Sequence, residues 1–237
     1  MLRPMTTFVI ATRNAHKVGE IRAILGAGFR YLTLNDFPGA PEVVEDAPTF
    51  SGNATKKAVV LAKWLAGRAE TRGAAEDLFV LADDSGLEVD ALGGAPGVHS
   101  ARFAALDTGA QGNSSTPENN AKLLRLLGDT PAAQRTARFR CVIALTPVPR
   151  GEPASASPVC EADEAELGTE LFDGACEGHI RFDLRGQGGF GYDPLFQPAG
   201  YDRTFGELDE KVKNQLSHRA KALAALRERF ERASSRK

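Results

Sequence analysis

The stretch LFVLADDSGLEVDALGGAPGVHSARF, residues 78–103, combines a buried strand with adjacent charges. Its first four residues, Leu78 to Leu81, are apolar, which is typical of a short buried strand. Two carboxylates, Asp83 and Asp84, follow at once, and we expect a turn from Asp83 to Gly86. Ligands of α/β proteins bind outside the carboxyl ends of strands. The stretch therefore predicts an α/β fold with an acidic site at the rim of a sheet.

The second half of this stretch predicts another strand and a glycine-rich turn. Leu87 to Leu92 alternates apolar and polar side chains, as a half-buried strand does. Gly93 to Gly97 (GGAPG) then allows the backbone to approach a ligand closely. Taken alone, a strand with a solvated turn and an ordinary loop explains these residues equally well.

Length, composition and charge restrict the class of protein. The chain has 237 residues, of which 42% are hydrophobic, so it can build a sizeable core, and we treat 1–237 as a single domain. A net charge of −2 gives no general attraction to nucleic acid or to a membrane surface, so neither is an expected partner. No apolar run is long enough for a membrane span or a signal peptide, which predicts a cytoplasmic protein.

The cysteines and histidines indicate no structural metal site. The three cysteines are an odd number and show no Cys-x-x-Cys spacing, and the four histidines lie far apart in the chain. A disulfide framework and a zinc site are therefore both unexpected.

The N-terminal segment predicts an anion site between a strand and a helix. Thr6 to Thr12 contains an apolar strand, and apolar residues recur at helical spacing from Val18 onward. Asn14 can cap this helix, whose first N–H groups would face an anion. Lys17 would add positive charge. An ordinary capped loop with a surface lysine is the alternative.

Further elements alternate along the chain in the manner of an α/β protein. They are a strand at Tyr31–Phe37, a helix after Asn53, a helix that Thr116 caps and Gly128 ends, a strand at Arg138–Pro147, one or two strands within residues 159–184, and a last helix from Ser217. Loop insertions are predicted near residues 67–77, 104–115 and 149–170, and a frayed tail at 231–237.

A glycine cluster from Gly186 to Pro194 matches the letters of the dinucleotide fingerprint G-x-G-x-x-G. That fingerprint opens a helix, whereas Tyr192 to Phe196 predicts a turn into a strand, so we reject a dinucleotide site. The glycines would instead let the chain pass close to a flat ligand, with Phe190 or Tyr192 available for stacking. Packing of Phe190 in the core is the alternative.

Lys213, His218 and Arg219 form a second group of cations. His218 and Arg219 are expected at a helix N-terminus, where positive side chains are unfavourable against the helix dipole. Because positive side chains are costly there, their presence indicates that His218 and Arg219 face a ligand. A solvated helix start is the alternative.

Together these stretches resemble one family, the inosine triphosphate pyrophosphatases, over nearly the whole chain. The matching motifs, in order, are Thr12–Lys17 (TRNAHK), Thr49–Lys57 (TFSGNATKK), Ala82–Leu87 (ADDSGL), Gly93–Gly97 (GGAPG), Gly189–Pro194 (GFGYDP) and Lys213–Arg219 (KNQLSHR). The six motifs occur in the same order as in that family, and together they indicate a resemblance that no single motif would establish.

The resemblance implies a fold and an activity. The fold would have two lobes around a long mixed β-sheet flanked by helices, with the active-site cleft between the lobes, and would usually form a homodimer. The activity would be hydrolysis of non-standard purine nucleotides, namely ITP, dITP and XTP, to the monophosphate and pyrophosphate, which cleanses the nucleotide pool. Two alternatives stay open: a pyrophosphatase for other modified or pyrimidine nucleotides, and a nucleotide-binding protein that does not hydrolyse.

The resemblance also implies roles for residues. Asp84 would be the catalytic base, and Glu45 and Asp84 would bind Mg²⁺, with Asp83 close by. If the strand stays extended through both aspartates, they point to opposite faces and only one leads the chemistry, for which we choose Asp84. The residues implied to bind the substrate are Thr12, Arg13, Asn14, Ala15, His16, Lys17, Lys57, Ser85, Phe190, Gly191, Tyr192, Asp193, Lys213, His218 and Arg219.

Overall fold

The computed structural model of the protein describes residues 5–66, 68, 77–149 and 168–235. The strands are β1 (Thr7–Ile10), β2 (Arg30–Thr33), β3 (Leu78–Val89), β4 (Thr136–Pro147), β5 (Glu170–Ile180) and β6 (Phe196–Pro198). The helices are α1 (Ala15–Leu25), α2 (Phe50–Ala66), α3 (Thr116–Leu127), α4 (Glu210–Leu216) and α5 (His218–Ser235). No helix in these ranges is both long and apolar enough to cross a membrane.

The strands form one mixed sheet in the order β2-β1-β3-β4-β5-β6. Strand β1 pairs in parallel with both β2 and β3, whereas β5 and β6 are antiparallel. This arrangement confirms the predicted α/β class and the mixed sheet. The expected cleft between two lobes stays a prediction, as does the single domain over 1–237.

The described residues group into two compact units. Unit 1 contains the residues up to Asp84, Val142–Phe172 and those from Leu223 onward. Unit 2 contains Ser85–Cys141 and Asp173–Ala222. Strands β3, β4 and β5 each contribute residues to both units, so neither unit is one continuous segment of the sequence.

Unit 1 has an aromatic cluster in which the buried Phe8 meets three half-buried rings. The ring of Phe8 on β1 lies 4.8 Å from that of Phe29, 6.4 Å from that of Phe79 and 5.5 Å from that of Phe230, centroid to centroid. Phe230 belongs to α5 and also meets Phe29 and Phe79 edge-on. Edge and tilted pairs at such distances stabilise a fold by about 0.5–1.5 kcal/mol each beyond the burial of their area.

Unit 2 has its own buried cluster, built from β3, α3, β4, β5 and β6. Phe139 on β4 lies 4.7 Å from Phe196 and 6.0 Å from Phe205, centroid to centroid. Leu123 and Leu127 supply the apolar face of α3, as the sequence predicts. Gly128 ends α3 as predicted, and its N–H donates to the carbonyl of Leu124.

Strand β3 runs without a break through Asp83 and Asp84, so the predicted turn from Asp83 to Gly86 and the separate strand at Leu87–Leu92 are wrong. Both aspartates are buried, with exposed fractions of 2% and 6%. Lysine partners pair with both carboxylates, which offsets the cost of burying them. The backbone therefore stays extended across the charged pair.

Several predicted element boundaries also differ from the structure. Helix α2 begins at Phe50 and not after Asn53, and strand β4 begins at Thr136 and not at Arg138. Strand β2 ends at Thr33 and not at Phe37, because Thr33 and Asp36 cap a short 3-10 turn with each other's backbone and side-chain groups. The N-cap of α3 is Ser115 and not Thr116. Ser115 Oγ accepts from the Glu118 N–H while the Glu118 carboxylate accepts from the Ser115 N–H, which is a capping box.

The C-terminal third holds one helix more than the sequence predicts. Helix α4 covers Glu210–Leu216, and α5 begins at His218, close to its predicted start. Residues 231–235 continue α5, and the predicted fraying of the tail stays a prediction.

The predicted insertions near 67–77 and 149–170 lie largely outside the described residues. The insertion at 104–115 is described. There Ala104–Asp107 forms a 3-10 turn, and the Asp107 carboxylate accepts from Lys122 at 2.6 Å and from Arg125 at 2.7 Å. These ion pairs tie the segment to α3.

Candidate active site

The loop after β1 is built as the sequence predicts. Asn14 caps α1, and its Oδ1 accepts from the N–H groups of His16 at 3.0 Å and Lys17 at 3.3 Å. Thr12 Oγ1 in turn accepts from the Asn14 N–H at 3.2 Å. Arg13, Asn14, Ala15 and His16 are exposed. The loop therefore offers a helix N-terminus with polar side chains to solvent, as an anion site requires.

Lys17 and Asp83 form the first of two buried pairs in unit 1. The Lys17 ammonium contacts Asp83 Oδ1, and the Asp83 side chain is fully buried. Lys17 thus neutralises a carboxylate of the sheet from the first turn of α1. Asp83 is held by this pair on its own side of the strand.

Lys57 on α2 forms the second pair and contacts three acceptors. Its Nζ donates to Glu45 Oε2 at 3.1 Å, to Asp84 Oδ1 at 3.0 Å and to the carbonyl of Asp83 at 2.8 Å. Burial lowers the pKa of Lys57, but the charges of Asp84 and Glu45 outweigh it and raise that pKa above its ordinary value. Lys57 therefore stays a cation in a buried place.

Glu45 and Asp84 interact with each other as well as with Lys57. Burial raises the pKa of Asp84 to about 6, against the charges of Lys57 and Lys17, and a hydrogen bond with Glu45 adds to the rise. The pKa of Glu45 is lowered: burial opposes this, but the Lys57 charge and hydrogen bonds with Asp84 and Lys57 prevail. Of the two carboxyl groups, Asp84 is therefore the one that takes up a proton first as the pH falls, and it does so near pH 6.

The donor set of this carboxyl pair fits a hard divalent cation. Mg²⁺ is bound by one or two carboxylates, with waters and substrate phosphates completing its octahedron. Glu45 and Asp84 supply two such carboxylates. Among the residues that the structure describes, no group of three or more His, Cys, Asp and Glu side chains is arranged to hold a metal by itself. The protein would thus supply a partial site that a phosphate ligand completes.

In unit 2, Asp193 fixes the loop that carries Phe190. Asp193 Oδ2 accepts from the Phe190 N–H and from Lys213 Nζ, each at 2.7 Å. The Lys213 ammonium also lies 4.7 Å from the centroid of the Phe190 ring. The sequence predicts that Lys213 binds phosphate. In this structure its ammonium group pairs with the buried Asp193 carboxylate and also contacts the Phe190 ring.

Gly189→Ala should destabilise this loop. Gly189 has a φ of +72°, and a Cβ there would lie 2.1 Å from Asp193 Oδ2. The backbone strain alone costs about 1–3 kcal/mol, and displacing Asp193 adds the loss of its contacts with Phe190 and Lys213. Urea unfolding followed by circular dichroism measures the change.

Gly191→Ala is the matched control, because Gly191 has a φ of +62° but open space at its Cβ. We expect Gly191→Ala to lower the free energy of unfolding by the backbone strain alone. Equal destabilisation by the two substitutions would show that Asp193 can move away from the new Cβ without any loss of stability.

Arg219 lies beside two other predicted substrate residues of unit 2. Its Nη2 donates to Ser85 Oγ at 3.0 Å, and its guanidinium carbon lies 5.9 Å from the Phe190 ring centroid. Arg219 is only 1% exposed. His218, next to it, stacks on Phe139 with centroids 4.9 Å apart, so its ring is part of the packed core of unit 2.

Tyr192 and Gly191 are anchored to neighbouring elements. The Tyr192 hydroxyl donates to the Ser100 carbonyl at 2.9 Å, and burial raises the pKa of Tyr192 above its usual range. The Gly191 carbonyl accepts from Asn120 Nδ2 on α3 at 3.1 Å. Tyr192 is buried while Phe190 is half-buried, so of the two candidate stacking rings Phe190 is the accessible one.

The predicted site residues thus fall into two groups. Unit 1 holds Thr12, Arg13, Asn14, Ala15, His16, Lys17, Glu45, Lys57, Asp83 and Asp84, and unit 2 holds Ser85, Phe190, Gly191, Tyr192, Asp193, Lys213, His218 and Arg219. Sequence reasoning missed Asn53, which donates to Asp84 Oδ2 at 3.4 Å, and Asn120, which holds Gly191. Both amides lie near the start of a helix, Asn53 in α2 and Asn120 in α3, and the neighbouring residues gave no signal for either role.

The sequence model of the Ham1 family matches residues 8–229, a range that contains both groups of side chains. The chain belongs to the Ham1 family. This membership confirms the resemblance that the six motifs indicate.

Curated relatives of this Ham1 chain are dITP/XTP pyrophosphatases. The protein of Desulforamulus reducens is 47% identical over 216 residues, which cover 91% of this chain and 90% of the relative. The protein of Geobacter sulfurreducens is 45% identical, with 94% of this chain and 96% of the relative covered.

Solved Ham1 structures have the same fold. The HAM1 protein of Coxiella burnetii superposes with a TM-score of 0.74 at 33% identity and covers 96% of this chain and 100% of its own. The Staphylococcus aureus Ham1 protein gives 0.71 at 33% identity, with 95% and 98% covered. The sheet and helices described above are therefore those of the Ham1 fold.

Proposed function

We propose that this Ham1 protein hydrolyses ITP, dITP and XTP between the α and β phosphates, releasing the monophosphate and pyrophosphate. The observation that carries the proposal is the buried group of Glu45, Lys57 and Asp84 in unit 1. Two carboxylates next to a fixed cation suit a metal-assisted attack of water on a polyphosphate. The names of the curated relatives support the choice of substrate.

We assign Asp84 the role of the base. Its carboxylate would orient the attacking water and accept its proton, and the buried position keeps that carboxylate in a single orientation. Lys57 and Lys17 would neutralise phosphate charge, together with the N-terminus of α1. When bound by Glu45 and Asp84, a divalent cation, Mg²⁺ in this proposal, would neutralise the phosphate and increase the acidity of the water.

We assign the group around Phe190 the recognition of the base. The half-buried Phe190 ring can stack on a purine, and Asp193 with Lys213 holds the loop that presents it. Arg219 has only hydrogen-bond donors, which suits the 6-oxo group of hypoxanthine and xanthine. Tyr192 and His218 would act by packing, since both side chains are buried in unit 2. A homodimer, which the family resemblance implies, and a cytoplasmic location, which the sequence predicts, complete the proposal.

The test is hydrolysis of a panel of nucleoside triphosphates with Mg²⁺, with both phosphate products measured. We expect ITP, dITP and XTP to give pyrophosphate and monophosphate, and EDTA to abolish the reaction. Orthophosphate as the first product, in an assay free of inorganic pyrophosphatase, would contradict the proposed bond cleavage.

The same panel separates the two alternatives. Hydrolysis confined to pyrimidine or other modified nucleotides would favour a pyrophosphatase of different specificity. Binding of ITP without any product, measured by calorimetry, would favour a protein that senses nucleotides.

A further inference from the structure

The loop that carries Glu45 rests on the first turn of α2 through what we call the Ala47 dock, formed by Ala47, Gly52 and Asn53. The Ala47 N–H donates to Asn53 Oδ1 at 2.9 Å. A Cβ at Gly52 would lie 2.8 Å from the Ala47 Cβ, closer than side-chain carbons approach. The loop can therefore pack this closely against the first turn of α2 because residue 52 is a glycine.

Asn53 connects the dock to Asp84. Its side chain is buried, with 1% exposed, and Oδ1 is occupied by the Ala47 N–H. That hydrogen bond fixes which end of the amide is which, so Nδ2 is directed at Asp84 Oδ2, 3.4 Å away. One amide therefore holds both Asp84 and a residue two positions after Glu45.

Besides the Glu45 contacts with Lys57 and Asp84, the loop has two exposed ion pairs. Lys56 Nζ lies 2.6 Å from Asp46 Oδ1, and Arg13 Nη1 lies 3.6 Å from Glu42 Oε1. Solvent-exposed ion pairs of this kind contribute little to a fixed geometry. The dock, by contrast, contains the buried Asn53 side chain and combines a hydrogen bond with close packing.

We propose that Gly52 and Asn53 are positioning residues that set the Glu45 carboxylate beside Asp84 and thereby determine the affinity of the cation site. This inference rests on the proposed function, in which Glu45 and Asp84 bind the cation. Because Ala47 lies only two residues after Glu45, a displacement of Ala47 moves Glu45. Gly52 acts through Ala47, and Asn53 acts through Ala47 and Asp84.

Gly52→Ala tests the dock without weakening the helix. Gly52 is not among the glycines with positive φ, and alanine is the better helix former, so the gain in helix propensity offsets part of the cost of displacing Ala47 and the protein should stay folded. The added Cβ should push Ala47 outward. We expect the affinity for Mn²⁺, measured by EPR titration of the EDTA-treated full-length protein, to fall about 10–100-fold, as on loss of an outer-shell partner.

A second substitution should reverse this loss. Ala47→Gly in the Gly52→Ala background removes the closest carbon and leaves only the looser contact with Thr49 Oγ1 at 3.1 Å, so Mn²⁺ affinity should recover most of what the single substitution loses. Asn53→Leu should also lower the affinity, and Ala47→Gly should not restore it, because the missing group is then the amide. Lys56→Ala, which removes an exposed ion pair of the same loop, is the control and should bind Mn²⁺ as the wild type does.

The inference is overturned if Gly52→Ala binds Mn²⁺ with wild-type affinity, if Ala47→Gly fails to restore binding, or if the wild type binds no Mn²⁺. Hydrolysis of dITP by the wild type and Lys56→Ala is measured in parallel. Failure of the wild type on every nucleotide overturns the proposed function instead, so the two failures are distinguishable.

Discussion

Asp84→Asn is expected to lower kcat for dITP about 10²–10⁴-fold, the usual contribution of a general base. Asparagine has nearly the shape of aspartate, but it cannot accept the proton of the attacking water. It also removes one of the two negative charges offered to the cation. Steady-state kinetics with pyrophosphate detection, at saturating Mg²⁺, measures the effect.

The same variant should remain folded, and the direction of the Asp84 pKa shift explains why. Burial raises this pKa from 3.8 to about 6. Because the folded-state pKa lies above the unfolded one, the folded protein is stabilised by the proton and loses that stability as the pH rises from 3.8 through about 6. A neutral asparagine avoids this loss. The variant also removes the Asp84 charge from the buried Lys57, which keeps its pair with Glu45, so above that range we expect the EDTA-treated variant to melt close to the wild type.

Asp83→Asn is the matched control on the other side of the strand. Asp83 pairs with Lys17, whereas Asp84 pairs with Lys57, so each substitution affects a different lysine. We expect Asp83→Asn to retain more activity than Asp84→Asn. The reverse order, with near-normal kcat for Asp84→Asn, would transfer the role of the base to Asp83.

Arg219→Ala is expected to narrow the preference for ITP over ATP. The guanidinium can donate to the 6-oxo group of hypoxanthine, but it would face another donor in the 6-amino group of adenine. A buried group left without its partner costs about 1–3 kcal/mol, so the ratio of kcat/KM values should fall roughly 5- to 150-fold. The ratio is independent of how much enzyme is folded, which matters because Arg219 is buried.

Ser85→Ala refines this test, since Ser85 Oγ accepts from the Arg219 guanidinium at 3.0 Å. It should shift the same ratio in the same direction by a smaller factor. If Arg219→Ala reduces activity on ITP and ATP equally, then Arg219 binds phosphate or supports the structure, and the assignment to base recognition is wrong.

Local patterns predicted the elements whose partners lie nearby in sequence. The Asn14 cap needs only the next turn of chain, and the Gly128 stop needs only the end of α3, and both are confirmed. The extended course through Asp83 and Asp84 could not be predicted in this way. The lysines that neutralise the pair lie 66 and 27 positions away in the chain, so no local rule shows that the carboxylates can be buried.

The same limit applies to the site. Motifs selected Lys213 and Tyr192 as substrate residues, but they could not show that Lys213 faces Asp193 or that the Tyr192 hydroxyl reaches Ser100, 92 positions earlier in the chain. Asn53 lies within one of the six motifs, but the motif did not indicate its role. Its hydrogen-bond donor, the Ala47 N–H, belongs to a loop without regular secondary structure. Such contacts are set by tertiary packing.

The aromatic cluster of unit 1 has a consequence for synthesis of the protein. Phe8, Phe29 and Phe79 leave the ribosome long before Phe230, whose ring completes their packing. Contacts between residues so distant in sequence form slowly, and exposed apolar surface on an incomplete chain promotes aggregation. The aromatic cluster of unit 1 is therefore complete only after α5 has emerged, and until then the sides of Phe8, Phe29 and Phe79 that meet Phe230 lack this partner.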